Sequence, residues 1–227
     1  IAIVFVRTTK QVIQLVQFAR TAGIGLVPSG GRTGLSGGAC AINREVVVSF
    51  EKMNQVLDFS SADASVTVQP GVITANLQNF AKEKGLFYPV DFASSGSSQI
   101  GGNIATNAGG IRVLRYGMTR QQVSGLKVVT GAGELLELNK GLTKNNTGYD
   151  LRHLFIGSEG TLGFVVEATV QLAAMPEKAT VMLLATSRME DCLEILTAFR
   201  EHITLNAFEF FSHNALESVV SQSDLES

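Results

Sequence analysis

The first fifty residues alternate between short apolar runs and one amphipathic stretch. Residues 4–6, 24–27 and 45–50 are largely apolar runs of the length that buried strands have. Between the first two runs, residues 9–21 place apolar side chains at helical spacing on one face, namely Val12, Leu15, Val16 and Ala19. The pattern therefore predicts a β-α-β unit at the start of the chain.

The rest of the chain switches repeatedly between strand and helix patterns. Strands are predicted at residues 66–69, 122–130, 134–138 and 163–172, and helices at residues 74–84 and 151–155. A long polar passage rich in Gly and Ser runs from residue 93 to residue 110. After Pro176 the pattern changes, and it predicts strands at 181–185 and 206–211 and helices at 190–200 and 214–220. We place a domain boundary there, with residues 176–227 as the beginning of an incomplete second domain.

Composition narrows the class of protein. The 227 residues are 45% hydrophobic and carry a net charge of −2, so a large core can form and no basic surface favours nucleic acid. No apolar run reaches the length of about 18 residues that a membrane-spanning helix needs. Cys40 and Cys192 form no C-x-x-C pair, which favours reduced thiols and a cytoplasmic location. The three histidines lack metal-ligand spacing, so no metal site is predicted within the chain.

Three Gly-rich segments, each beside a predicted strand, carry the candidate chemistry: residues 28–38, 101–110 and 157–163. Glycine exposes backbone N–H groups, and successive N–H groups in a tight loop bind anions such as phosphate. The first segment lacks the Lys of a P-loop and does not lead into the helix that a Rossmann fingerprint requires. Each segment alone is also compatible with an ordinary turn or mobile surface loop. Together they indicate a large ligand.

The order and spacing of these segments, with the stretch Val68-Gln69-Pro70-Gly71-Val72, resemble the PCMH-type FAD-binding domain of the vanillyl-alcohol oxidase superfamily over residues 1–173. Within it, residues 114–117 and 145–151 are similar to the D-2-hydroxy-acid dehydrogenase branch. That branch includes D-lactate dehydrogenase, the glycolate oxidase flavin subunit and D-2-hydroxyglutarate dehydrogenase. The implied fold class is α+β, with a two-subdomain FAD-binding domain at 1–175, divided at about residue 55, followed by the start of an α+β cap domain.

The resemblance also implies which residues bind FAD. Around the pyrophosphate we expect Pro28, Gly30, Gly31, Arg32, Thr33, Gly34 and Leu35. Along the cofactor path, ribityl chain and isoalloxazine we expect Pro70, Gly71, Gly101, Gly102, Asn103, Ala105, Thr106, Asn107 and Gly109. At the flavin or adenine end we expect Glu159, Gly160, Gly163 and Val165. The first loop contains no His for covalent attachment, so non-covalent FAD is expected.

The implied reaction is oxidation of a D-2-hydroxy acid (D-lactate, glycolate or D-2-hydroxyglutarate) to the 2-keto acid by hydride transfer to flavin N5. The expected partners are the small hydroxy acid and an electron acceptor, either a protein or a quinone. No catalytic residue is assigned, because the family's base and metal ligands lie in a later part of the cap. A non-catalytic FAD-binding subunit is the alternative. A phosphoryl-transfer module would need a Lys and a Mg²⁺-binding acid beside the first loop, and neither is apparent.

Overall fold

The computed structural model describes residues 2–142 and 144–222, and it begins with a small parallel sheet. Its elements are β1 (Ile3–Phe5), α1 (Thr9–Ala22), β2 (Leu26–Ser29) and β3 (Val46–Ser49). The strand order is β1-β3-β2, and both neighbours run parallel to β3. Helix α1 begins after Thr8, whose side chain accepts a hydrogen bond from the backbone N–H of Gln11 at 3.2 Å. The predicted strand and helix pattern of this segment is confirmed.

A larger antiparallel sheet lies in the part of the chain that is predicted to be the second subdomain. Its part of the chain contains β4 (Val56–Ser60), β5 (Ser65–Val68), α2 (Thr74–Glu83), β6 (Leu86–Phe87), α3 (Ile100–Ala105), α4 (Val113–Tyr116), α5 (Thr119–Gln122), β7 (Val123–Thr130), β8 (Leu135–Leu138), α6 (Arg152–Phe155), β9 (Gly163–Gln171) and β10 (Ala173–Ala174). Five of these strands pair in the order β4-β5-β9-β7-β8, and β6 pairs with β10. The predicted α+β class is confirmed.

Strand β9 shows how alternation along a strand places residues of this sheet in the core. Its side chains alternate between buried and half-buried, and Phe164, Val166, Ala168 and Val170 lie on the buried face. Strand residues alternate between the two faces, so this period-2 pattern places every second residue in the core. Val170 packs with residues of α2 and α3, whereas Phe164 and Val166 pack with residues of α1 and β3. One strand therefore contributes to the cores of both subdomains.

The chain after β10 contains helices but no paired strand among its described residues. Helices α7 (Met189–His202) and α8 (His213–Val220) confirm the two predicted helices. The strands predicted at residues 181–185 and 206–211 are wrong, because both segments lack regular secondary structure and pair with no described strand. No described residue from 173 to 222 is buried, so these apolar runs have no sheet or core to join. In the described part of the chain, no helix combines the length and apolarity needed to cross a bilayer.

Candidate functional site

A cavity of about 670 Å³ lies where the three Gly-rich segments meet. This volume is within the range of ligand and cofactor pockets. Eighteen of the twenty residues predicted to contact FAD line the cavity: Pro28, Gly30, Gly31, Arg32, Thr33, Gly34, Leu35, Pro70, Gly101, Gly102, Asn103, Ala105, Thr106, Gly109, Glu159, Gly160, Gly163 and Val165. The structure thus brings together segments that are more than one hundred residues apart in sequence.

The first Gly-rich segment leaves β2 at Ser29 and lines the cavity. Among the described residues, none accepts a hydrogen bond from the backbone N–H groups of residues 31–36. Gly31 allows the loop to pack closely against the backbone of Ser97, because a Cβ atom at position 31 would lie 2.2 Å from the carbonyl oxygen of Ser97. The adjacent Arg32 has a left-handed φ of 57° and forms no ion pair with a described residue. Free N–H groups beside an unpaired guanidinium form a surface suited to an anion.

The second Gly-rich segment is not a simple loop, because its first residues form helix α3. Two glycines make this helix intrinsically weak. Ile100 and Ile104 overcome that weakness by packing fully buried in the core of the second subdomain. Gly101 allows the close approach of Pro70, whose Cβ would lie 2.5 Å from a Cβ at position 101. Asn103, predicted to contact the cofactor, lies in the cavity wall and donates to the Thr74 hydroxyl at 2.7 Å.

The third Gly-rich segment connects the other two. The backbone N–H of Glu159 donates to the carbonyl of Ala105 at 2.8 Å, which fixes this loop to the end of α3. Its carboxylate accepts a hydrogen bond from the Ser36 hydroxyl at 3.2 Å, which joins it to the first loop. Glu159 has a left-handed φ of 51°, and the backbone of Gly160 packs closely against the ring of Pro28. Since a carboxylate only accepts hydrogen bonds, Glu159 is suited to hydroxyl or amino groups of a ligand and not to its phosphates.

Two predicted contact residues, Gly71 and Asn107, are not among the residues that line the cavity. Gly71 packs against the backbone of the segment after β3, and a Cβ there would lie 2.2 Å from the carbonyl oxygen of Phe50. Asn107 uses its side-chain oxygen to accept a hydrogen bond from the backbone N–H of Arg120 at 3.0 Å. Through these contacts both residues hold the walls of the cavity, and their direct contact with FAD stays a prediction.

Sequence reasoning missed several residues of the cavity wall, including Phe50, Phe92, Gln99, Phe155 and Phe164. The aromatic residues are core positions by pattern, and nothing local shows that one edge of each ring meets the cavity. Gln99 is more informative. Its amide oxygen is buried and has no hydrogen-bond partner among the described residues. A buried polar group without a partner is costly, and a ligand in this cavity is a natural source of one.

Comparisons with known proteins agree with this geometry. A family model described as an FAD binding domain matches residues 1–139. The chain is 59% identical over 224 residues to D-2-hydroxyglutarate dehydrogenase of Stutzerimonas stutzeri, covering 99% of this chain and 48% of that protein. It is 42% identical over 182 residues to the glycolate oxidase subunit GlcD of Bacillus subtilis, covering 80% of this chain and 39% of that protein. The chain therefore spans about half or less of the length of these curated relatives.

The fold comparison extends this agreement to a solved structure. An alkyldihydroxyacetonephosphate synthase superposes with a TM-score of 0.69 at 28% sequence identity, covering 78% of this chain and 34% of that one. The family match confirms the expectation of FAD, and the relatives confirm the branch that the sequence resembled. The chain belongs to the FAD-binding domain family, and it is similar to D-2-hydroxyglutarate dehydrogenases over nearly its whole length.

Proposed function

We propose that the native protein carrying this chain is an FAD-dependent dehydrogenase that oxidises a D-2-hydroxy acid to the corresponding 2-keto acid. Among possible substrates we propose D-2-hydroxyglutarate, because two relatives of that name are 59% and 55% identical to nearly the whole chain. D-lactate and glycolate are the competing substrates. The role of this chain in the reaction is to bind and orient the cofactor.

One observation carries the assignment of the cofactor site: residues 31–36 line the cavity, and no described residue accepts a hydrogen bond from their backbone N–H groups. We propose that these groups and Arg32 hold the pyrophosphate of FAD. The carboxylate of Glu159 then receives hydrogen bonds from hydroxyl or amino groups of the cofactor. When bound, FAD supplies the two-electron acceptor for the reaction.

The remaining contribution of this chain is to shape the wall beside the reacting groups. Phe155, Phe164 and Val165 give one part of the cavity an apolar lining. Such a lining excludes water and strengthens the hydrogen bonds made by the polar wall. The base that accepts the hydroxyl proton is not assigned to any residue of this chain. We propose a protein or a quinone as the electron acceptor.

The test is anaerobic reduction of the purified native protein. D-2-hydroxyglutarate should bleach the visible absorbance of the bound flavin, and L-2-hydroxyglutarate should leave it unchanged. D-lactate and glycolate, added under the same conditions, rank the competing substrates. Flavin that none of these acids reduces would contradict the proposed activity and support the alternative of a non-catalytic FAD-binding subunit.

A further inference from the structure

Arg120 lies outside the cavity lining and contacts the second Gly-rich segment and the residues directly before the third. It follows the first residue of α5 and is not among the residues that line the cavity. Its backbone N–H donates to the side-chain oxygen of Asn107, at the end of the second segment, at 3.0 Å. Its guanidinium donates to the backbone carbonyls of His153 at 2.9 Å and Ile156 at 2.5 Å. The carbonyl of Ile156 is the last one before the third segment begins.

The surroundings of this guanidinium define its role further. One guanidinium nitrogen also lies 3.0 Å from Nδ1 of His153. Because an arginine donates only, this contact is a hydrogen bond when Nδ1 is unprotonated. The other imidazole nitrogen lies 3.4 Å from the carboxylate of Asp150. A Cβ atom at Gly157 would lie 3.3 Å from the guanidinium, so the glycine leaves just enough room for the arginine.

The two segments that Arg120 joins contain left-handed backbone, and they also contact each other directly. Asn107, Gly157, Glu159 and Gly160 all adopt left-handed φ values, between 47° and 87°. Backbone in this region is stable only where surrounding contacts fix it. Direct contacts between the segments include the hydrogen bonds from Gly157 N–H to the Ile104 carbonyl at 3.0 Å and from Glu159 N–H to the Ala105 carbonyl at 2.8 Å.

We propose that Arg120 is a positioning residue for FAD binding: it joins the second and third Gly-rich segments from behind, and so holds the cavity wall in the shape that the cofactor needs. The inference rests on the proposed function. A planar guanidinium presents several donors in a fixed fork, so it can bridge two carbonyls of one turn at once. A lysine ammonium in the same place is a point donor and would hold this geometry less well.

The experiment measures FAD affinity and apo-protein melting temperature for Arg120→Ala, Arg120→Lys and a matched control, Arg152→Ala. Arg152 also donates to a backbone carbonyl, that of Val123 at 2.8 Å, and it pairs with Asp150, but it contacts neither segment. We expect Arg120→Ala to weaken FAD binding at least about tenfold, Arg120→Lys to lie between it and wild type, and Arg152→Ala to stay within about twofold.

Two results distinguish positioning from general destabilisation. One is partial recovery of FAD affinity in Arg120→Lys. The other is a greater loss of FAD affinity in Arg120→Ala than in the Arg152→Ala control at a similar melting temperature. An affinity of Arg120→Ala or Arg120→Lys equal to that of wild type would overturn the role of Arg120, as would an equal loss in Arg152→Ala. Failure of the wild-type protein to bind FAD would instead overturn the proposed function, and the inference with it.

Discussion

Substituting Gly34 tests the first loop as the phosphate cradle, because this position has room for a side chain in the structure. A Cβ at Gly34 meets no atom within 4 Å, and its φ is not left-handed. Gly34→Val should therefore change the free energy of unfolding of the apo-protein by no more than about 0.5 kcal/mol. Because Gly34 lines the cavity, we expect the added isopropyl group to displace the cofactor from neighbouring N–H groups.

The expected loss of FAD affinity in Gly34→Val follows from the number of hydrogen bonds to the cofactor that are removed. Hydrogen bonds to charged groups contribute about 1.5–3 kcal/mol each, so losing two costs about 3–6 kcal/mol. At about 1.4 kcal/mol per factor of ten, FAD binding should weaken at least about 100-fold. The assay is titration of apo-protein with FAD by flavin fluorescence, alongside a thermal melt of the same sample.

Two further glycines provide the controls. A Cβ at Gly96 likewise meets no atom within 4 Å, and this glycine does not line the cavity, so Gly96→Val should bind FAD normally. Gly31→Ala would force a Cβ to 2.2 Å from the Ser97 carbonyl oxygen, and it should lower both the melting temperature and the FAD affinity. Wild-type FAD affinity in Gly34→Val would refute the proposed cradle.

Three other substitutions test the framework of the site. Arg152 holds the pKa of Asp150 below its ordinary value, so this stabilisation is present at neutral pH and is lost as pH falls through that lowered pKa. Melting curves against pH should show Asp150→Asn less stable than wild type at pH 7, by under about 1 kcal/mol because the Asp150 side chain is exposed, and equal to it in acid. Thr74→Val should cost about 1–3 kcal/mol in urea unfolding, because it leaves the buried amide of Asn103 without its acceptor. Leu77→Ala, at a fully buried core position, should lower the free energy of unfolding by about 2–5 kcal/mol in the same assay. An unchanged free energy of unfolding in Thr74→Val or in Leu77→Ala would contradict the described packing.

The elements that can be predicted from the sequence are those whose pattern is local. The alternation of β9 and the amphipathic face of α1 are enough to assign both, and three Gly-rich segments are enough to predict one shared site. Strand β4 is not predicted, because Val56, Leu57 and Asp58 are all exposed and show no buried face. Its structure depends on pairing with β5, which is a contact across the chain.

Other differences have the same physical origin. Residues 100–105 have the pattern of a polar loop, yet burial of two isoleucines makes the segment a helix despite its glycines. Residues 181–185 have the pattern of a strand, yet no described strand lies beside them to complete a ladder. The contact of Arg120 with the carbonyl of Ile156, 36 residues away, leaves no mark in the local sequence. Tertiary packing determines the helix, the missing strand and the arginine contact, and the local sequence pattern carries no information about such packing.

The identity of the cofactor in the purified native protein tests the proposed FAD site most directly. Denaturation with acid should release a yellow compound that co-migrates with FAD, and the precipitated protein should be colourless, because no covalent attachment is expected. Apo-protein prepared in this way and refolded should regain the visible flavin spectrum when FAD is added, and should not regain it with FMN. A protein that is purified without flavin and cannot be reconstituted with FAD would contradict the central claim.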